Sequence, residues 1–161
     1  LFRLVGSEMC IRDRDWVESV YTEFNLKLQS PDAFVRSSDS LSNNLNYISE
    51  DGSISLSLYV KTKTENQDIL NELLDEFKKR DFKNIITKEE QVDIGGGNKA
   101  NKVFGSFDDK NIETKKNYNI IVFDFNNKLL LLEMIYEIDN NIQSQIIDKI
   151  LTSLKFEKWQ I

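Results

Sequence analysis

The chain contains no histidine, one cysteine and one proline in 161 residues. The first absence removes the commonest general base, the commonest metal ligand and every histidine-dependent nucleophilic triad. A single cysteine allows no disulfide within the chain and no Cys-type zinc site, and it leaves the redox compartment unset. No apolar run is long enough to span a bilayer as a helix. Basic charge is also short: the net charge is -6 and the sequence pI is near 4.8. A nucleic-acid binder shows a basic face, whereas the lysines here are spread along the chain. No cofactor motif appears either. Gly95-Gly96-Gly97-Asn98 has neither the spacing nor the strand-to-helix context of a phosphate or dinucleotide loop, and it reads as a hairpin turn.

What is present is a globular composition, 40% hydrophobic and 11% aromatic, in a length that suits one domain with a substantial core. The stretch NYNIIVFDFNNKLLLLEMIYEI, 117–138, reads as a β-hairpin of two apolar strands turning at Asn126-Asn127, because asparagine tolerates the left-handed backbone of a tight turn. That turn sets Phe125 opposite Lys128. Tyr118, Ile120, Val122 and Asp124 then share a face with Leu129, Leu131, Glu133 and Ile135, while Ile121, Phe123 and Phe125 share the other with Leu130, Leu132 and Met134. Both faces are apolar and both need covering, so the hairpin belongs at a sheet centre between two layers.

The first fourteen residues, LFRLVGSEMCIRDR, hold three of the five arginines and the only cysteine. The string SEMCIRDR resembles a peptide that arises when sequencing-adapter DNA is translated at the ends of assembled reads. Residues 1–14 are therefore expected to be a non-native or disordered head, with 15–161 as a single domain. A real frayed tail and a degenerate lipoprotein signal at Cys10 are the other readings.

Along the body, Asp15 to Tyr21 is expected as a short helical turn, with Trp16 and Val20 four apart. A strand from Phe24 ends at Ser30-Pro31-Asp32, Ala33 to Arg36 forms an edge strand, Ser37 to Asn44 a loop, and Leu45 to Ile48 a short strand. After the Asp51-Gly52 turn, Ile54, Leu56, Leu58 and Val60 alternate with polar residues as a half-buried strand. The period then changes. Ile69, Leu70, Leu73, Leu74 and Phe77 predict an amphipathic helix over 66–81, and Ile142, Ile146, Ile147, Ile150, Leu151 and Leu154 predict a second over 141–154, capped by Asn140 or Asn141. Between them lie strands at Phe82 to Asp93 and Lys102 to Asp108, and a polar loop from Asp109 to Lys116. The expected class is α+β: a three-layer α/β/α sandwich with a central, mostly antiparallel sheet and two long amphipathic helices.

Candidate chemistry is sparse. Asp124, Glu133 and Glu137 fall on one face of the hairpin, and carboxylates within apolar strands can do acid–base work. In this register Asp124 and Glu133 are two pairs apart, so they are not adjacent. Packing beside a lysine is the plainer reading. Ser30, Ser37, Ser38 and Ser40 have no visible activating base. Tyr118, Tyr136, Trp16 and Trp159 suit either core packing or a binding surface. No catalytic, cofactor-binding or metal residue is assigned.

The order of elements, with the segments FNLKLQSPDAF, ISLSLYV, VDIGGGNKANKVFGSF and IIDKILTSLKFEK, resembles the PsbP/DcrB/Mog-type α/β/α sandwich superfamily over about Tyr21 to Lys158. The opening turn departs from the family by having Ala33-Phe34 where a tryptophan often follows the proline. The resemblance implies a non-enzymatic binding or assembly domain with a protein partner, no cofactor, no nucleic acid and no membrane-spanning segment. It also implies an extracytoplasmic or periplasmic place in a bacterial envelope, with any lipid anchor on a native N-terminus now missing. The alternatives are a cytoplasmic adaptor or immunity-type protein of the same fold, and a carboxylate-based hydrolase using at least two of Asp124, Glu133 and Glu137. Nothing in the sequence sets the oligomeric state.

Overall fold

The computed structural model describes residues 16–21, 26–32, 34–36, 45–49, 52–64, 68–94, 98–125, 127–137 and 141–156. In chain order the elements are β1 (Trp16–Tyr21), β2 (Leu26–Pro31), β3 (Val35–Arg36), β4 (Leu45–Ile48), β5 (Ile54–Thr62), α1 (Ile69–Lys79), β6 (Phe82–Ile94), β7 (Asn98–Asp109), β8 (Thr114–Phe125), β9 (Lys128–Glu137), α2 (Asn141–Ser153) and β10 (Lys155–Phe156). Seven strands form one sheet in the order β3-β4-β5-β9-β8-β7-β6, and β1, β2 and β10 form a second in the order β1-β2-β10. All the strand pairs are antiparallel.

The 117–138 hairpin occupies the centre of the larger sheet in the expected register, with Phe125 opposite Lys128 and Ile120 opposite Glu133. Asn127 has φ 61, the left-handed value the turn requires. Its two faces feed two cores. Tyr118, Ile120, Val122, Leu129, Leu131 and Ile135 pack with Leu73 and Phe77 of α1. Ile121, Phe123, Leu130, Leu132 and Met134 pack with Ile146, Ile147, Ile150 and Leu154 of α2, and with Leu26 and Leu28 of β2. An apolar strand pair with period two must bury both faces, and one helix stands on each. In β5, Ile54, Leu56 and Leu58 are buried as the alternation demands.

Several elements differ from expectation. The segment 16–21 is a strand, paired along its length with β2 (Trp16 opposite Pro31, Tyr21 opposite Leu26), not a helical turn. Trp16 and Val20 are four apart, a spacing that fits one side of a helix and one face of a strand equally. The aromatic and β-branched residues and the unpaired edge of β2 decide for the strand. The first helix starts at Ile69, because the Asp68 carboxylate accepts the Asn71 N–H at 3.2 Å as its cap, and it stops at Lys79 rather than continuing to Asp81. Asp81 has φ 59, outside helical space. The second ends at Ser153, where the Ser153 hydroxyl accepts the Gln29 N–H at 2.8 Å and ties the helix end to β2. At 11 and 13 residues both are shorter than the long helices expected.

The polar loop of 109–116 shrinks to the turn residues 110–113, since β7 and β8 run on in register as far as Asp109 opposite Thr114. Asp108 lies opposite Lys115, so the ladder runs on through polar residues beyond the apolar core. The strand that ends at Pro31, β2, makes a separate sheet with β1 and β10. The head 1–14, the 37–44 loop, Gly95-Gly96-Gly97, Asn126, Asn140 and Trp159 lie outside the described residues.

Candidate functional site

Glu133 is, among the described residues, the acidic side chain carried deepest into the sheet, 7% exposed, on the α1 face. The period of β5 determines what it meets. Ser57 lies opposite Glu133, so Tyr59, Lys61 and Lys63 follow on the same face, each displaced one step along the strand. The Tyr59 hydroxyl points to Glu133 Oε2 in a long 3.5 Å contact, Lys61 Nζ donates to Glu76 of α1 at 2.5 Å, and Lys63 pairs with Asp124. The remaining oxygen of Glu133 accepts from Arg80 at 2.9 Å.

Arg80 is placed by the end of α1. Its backbone N–H closes the helix on the carbonyls of Glu76 and Phe77, both at 3.1 Å. Its guanidinium then lies over the rings of Phe82 and Phe77, at 4.8 and 5.8 Å from their centroids. Burial therefore comes with pairing, which a carboxylate at this depth requires.

Two tyrosines register this environment. Burial, reinforced by the negative charges of Glu133 and Glu76, pushes the Tyr59 phenol far above its ordinary value of 10.0. Burial also raises Tyr118, whose hydroxyl donates to the Ile86 carbonyl at 3.1 Å and lies 2.7 Å from the Thr87 hydroxyl. A phenol with a raised folded pKa stays protonated while the unfolded chain ionises. Above about pH 10 the unfolded state then binds fewer protons, and stability falls as pH rises, by at most about 1.4 kcal/mol per pH unit for each tyrosine. Below pH 10 neither group contributes. Urea midpoints measured from pH 8 to pH 11.5 are expected to show that alkaline decline, and Tyr59→Phe is expected to make it shallower.

The three carboxylates singled out in the sequence are not brought together. Asp124 is held by Lys63 at the turn end, Glu133 by Arg80 and Tyr59 further in, and exposed Glu137 lies opposite Lys116 at the far end of the hairpin. Tyr118 and Tyr136 are core residues, and Ser30 is buried. Trp16 packs against the α2-side core, with the Lys149 ammonium 4.3 Å from its ring centroid. The donors Tyr59 and Arg80 were not foreseen. The signal for them was Glu133 itself, since a carboxylate in a run as apolar as LLLLEMI demands a cation from another element.

A second polar feature is an open cleft of about 510 Å³ where β6, β7 and β8 leave the core, lined by Lys83, Asn84, Asp108, Lys110 and Lys115 among others. Asp108 accepts from the Asn84 amide at 2.8 Å, and Asp109 accepts the Asn111 N–H at 3.0 Å. Three lysines and three carboxylates balance there, so the cleft carries no strong field of either sign. Among the described residues no three His, Cys, Asp or Glu side chains gather into a metal-binding set, and no helix is long and apolar enough to cross a membrane.

No protein-family model and no curated protein matches the sequence. Solved structures do match the fold. The Ran-binding protein Mog1p of Saccharomyces cerevisiae aligns with a TM-score of 0.58 and 9% identity, over 86% of this chain and 94% of its own. Cyanobacterial PsbP (CyanoP) from Synechocystis sp. PCC 6803 aligns at 0.56 and 8% identity, over 89% and 93%. LpqN of Mycobacterium tuberculosis, described as involved in cell envelope biogenesis, aligns at 0.51 and 15% identity, over 90% and 93%. The chain also spans half the length (50%) of a Bacteroides thetaiotaomicron protein, at a TM-score of 0.55 and 9% identity. Identities this low speak for backbone architecture alone. At the level of fold, the chain is PsbP/Mog-like.

Proposed function

We propose that this chain is a non-enzymatic binding and assembly module for a protein partner, a three-layer α/β/α sandwich over 15–161 acting in a bacterial cell envelope. The observation that carries this reading is the state of Glu133. It is the one buried acid among the described residues, and Arg80 and Tyr59 engage both of its oxygens, so it serves packing. With Asp124 held separately by Lys63 and Glu137 at the far end of the hairpin, the three hairpin carboxylates do not converge on a point where a substrate atom could sit. The fold likeness to a Ran-binding protein and to a protein of cell envelope biogenesis supports a binding role and the envelope setting.

The test begins with the native 5′ end of the gene, recovered by long-read sequencing of the source DNA. A charged segment, an apolar segment and a lipobox or cleavage site ahead of Trp16 supports the envelope reading. An open reading frame that starts near Asp15, or genuinely encodes LFRLVGSEMCIRDR, replaces it with a cytoplasmic adaptor or immunity-type protein. Photo-crosslinking in the source organism, with the reactive residue at exposed Ile112, then reports a defined protein partner if the module reading is right. Hydrolytic turnover that Glu133→Gln abolishes in a folded protein would overturn it.

A further inference from the structure

We infer that β6 is the pairing edge for a second copy of the chain, joined antiparallel about a two-fold axis that passes midway between Glu89 and its counterpart. Among the described residues β6 lies at the end of the seven-stranded sheet with β7 as its single neighbour. A register shift falls between Lys83 and Ile86, and from Ile86 to Ile94 the ladder with β7 is unbroken. The outward backbone groups of that stretch therefore form a straight, unpaired row, which is what a further strand needs.

The sequence of this row, ITKEEQV from Ile86 to Val92, is complementary to its own reverse. An axis perpendicular to the sheet keeps each face on its own side and sets residues equidistant from Glu89 opposite one another. Ile86 then meets Val92 of the second copy, Thr87 meets Gln91, and Lys88 meets Glu90, each pair occurring twice. Ile86, Lys88, Glu90 and Val92 share the α2 face. There Val92 already packs against the core, and Glu90 pairs with Lys102 at 3.4 Å. In the isolated chain Ile86 is 54% exposed, and Lys88 has no ion pair among the described residues.

The charges on this edge also select the register. Sliding one copy by two residues in one direction sets Lys88 opposite Lys88 and Ile86 opposite Glu90. The opposite slide sets Glu90 opposite Glu90 and Val92 opposite Lys88. A one-residue slide exchanges the faces altogether. Only the register centred on Glu89 satisfies both outer pairs, and its one unfavourable contact is Glu89 against itself. That contact keeps the association weak, so that it is concentration-dependent.

Sedimentation equilibrium from micromolar to millimolar protein tests the pairing. The wild-type chain is expected to move from monomer toward dimer, and Glu89→Gln is expected to tighten the dimer about tenfold by removing the like charges on the axis. Glu90→Lys is expected to abolish it by facing Lys88 with another lysine. The exchange Lys88→Glu with Glu90→Lys is expected to restore it. Far-UV circular dichroism and urea midpoints establish that each variant is folded. Monomer at millimolar concentration for both the wild type and Glu89→Gln overturns the inference. So does a dimer that Glu90→Lys leaves unchanged, or one that the charge exchange does not restore.

Discussion

Replacing Phe107 with alanine is expected to cost about 3–5 kcal/mol of stability, read as a lowered urea midpoint at an unchanged m-value. Phe107 is fully buried on the α1 face and is surrounded by other rings. Phe82 stacks on it at 3.9 Å with planes 17° apart, Phe77 lies at 5.6 Å and Tyr118 at 5.9 Å. Phe77 in turn meets Tyr118 edge-on at 4.9 Å, so the four rings form one contact network joining α1, β6, β7 and β8. Deleting one ring loses its transfer free energy and leaves a cavity whose walls are themselves rigid rings that cannot collapse into it. Phe104 supplies the control. It lies three residues back on the opposite face of β7, is half-buried, and carries the Lys102 ammonium at 4.7 Å. Phe104→Ala is expected to cost about 1 kcal/mol or less, since its ring is already in contact with water. Equal costs at the two positions would mean that the ring network contributes nothing special.

The contrast between these two phenylalanines marks what could be read in advance. The register of β8 against β9 was legible, because two apolar runs of period two separated by Asn-Asn in the sequence leave one register that buries both faces. The stripe of Leu73 and Phe77 was legible for the same reason at helical spacing. Burial writes a pattern, and where burial ends the pattern ends. The outer ends of β7 and β8, Asp108-Asp109 opposite Thr114-Lys115, continue the backbone ladder through polar residues that look like a loop in the sequence. The segment 16–21 carried a spacing common to helix and strand, and only the presence of β2 beside it resolves the choice. At the candidate site the acid was legible but its partners were not. Glu133 stands out in an apolar strand, whereas Tyr59 comes from a strand 74 residues earlier and Arg80 from a helix end 53 residues earlier.

Gly105→Ala is expected to be as damaging as losing a core ring, although it adds a single methyl group. Gly105 is in the middle of β7, opposite Thr87 on one side and Tyr118 on the other. A Cβ built there would collide with the carbonyl oxygen of Ile86, and would lie 2.7 Å from its carbonyl carbon and 3.3 Å from Thr87 Cα. These are backbone atoms of the neighbouring strand just past its register shift, so no rotamer change can clear them. The missing side chain also lets the Tyr118 hydroxyl reach across to the Ile86 carbonyl and the Thr87 hydroxyl, which fastens the start of the regular β6 ladder to β8. An added methyl must push β6 away and break those bonds together, for a loss of about 3 kcal/mol or more. Gly52→Ala separates steric from conformational cost. Gly52 has φ +74 with nothing within 4 Å of an added Cβ, so alanine there meets backbone strain alone, about 1–2 kcal/mol. Hydrogen exchange adds a local readout. In Gly105→Ala the amides of 86–94 are expected to lose protection before those of β8 and β9, because the displaced strand is at the sheet edge and the central hairpin is buried on both faces. Uniform loss of protection across the sheet would show that the glycine acts on global stability without anchoring β6, and a midpoint equal to wild type would show that the two strands have room to part.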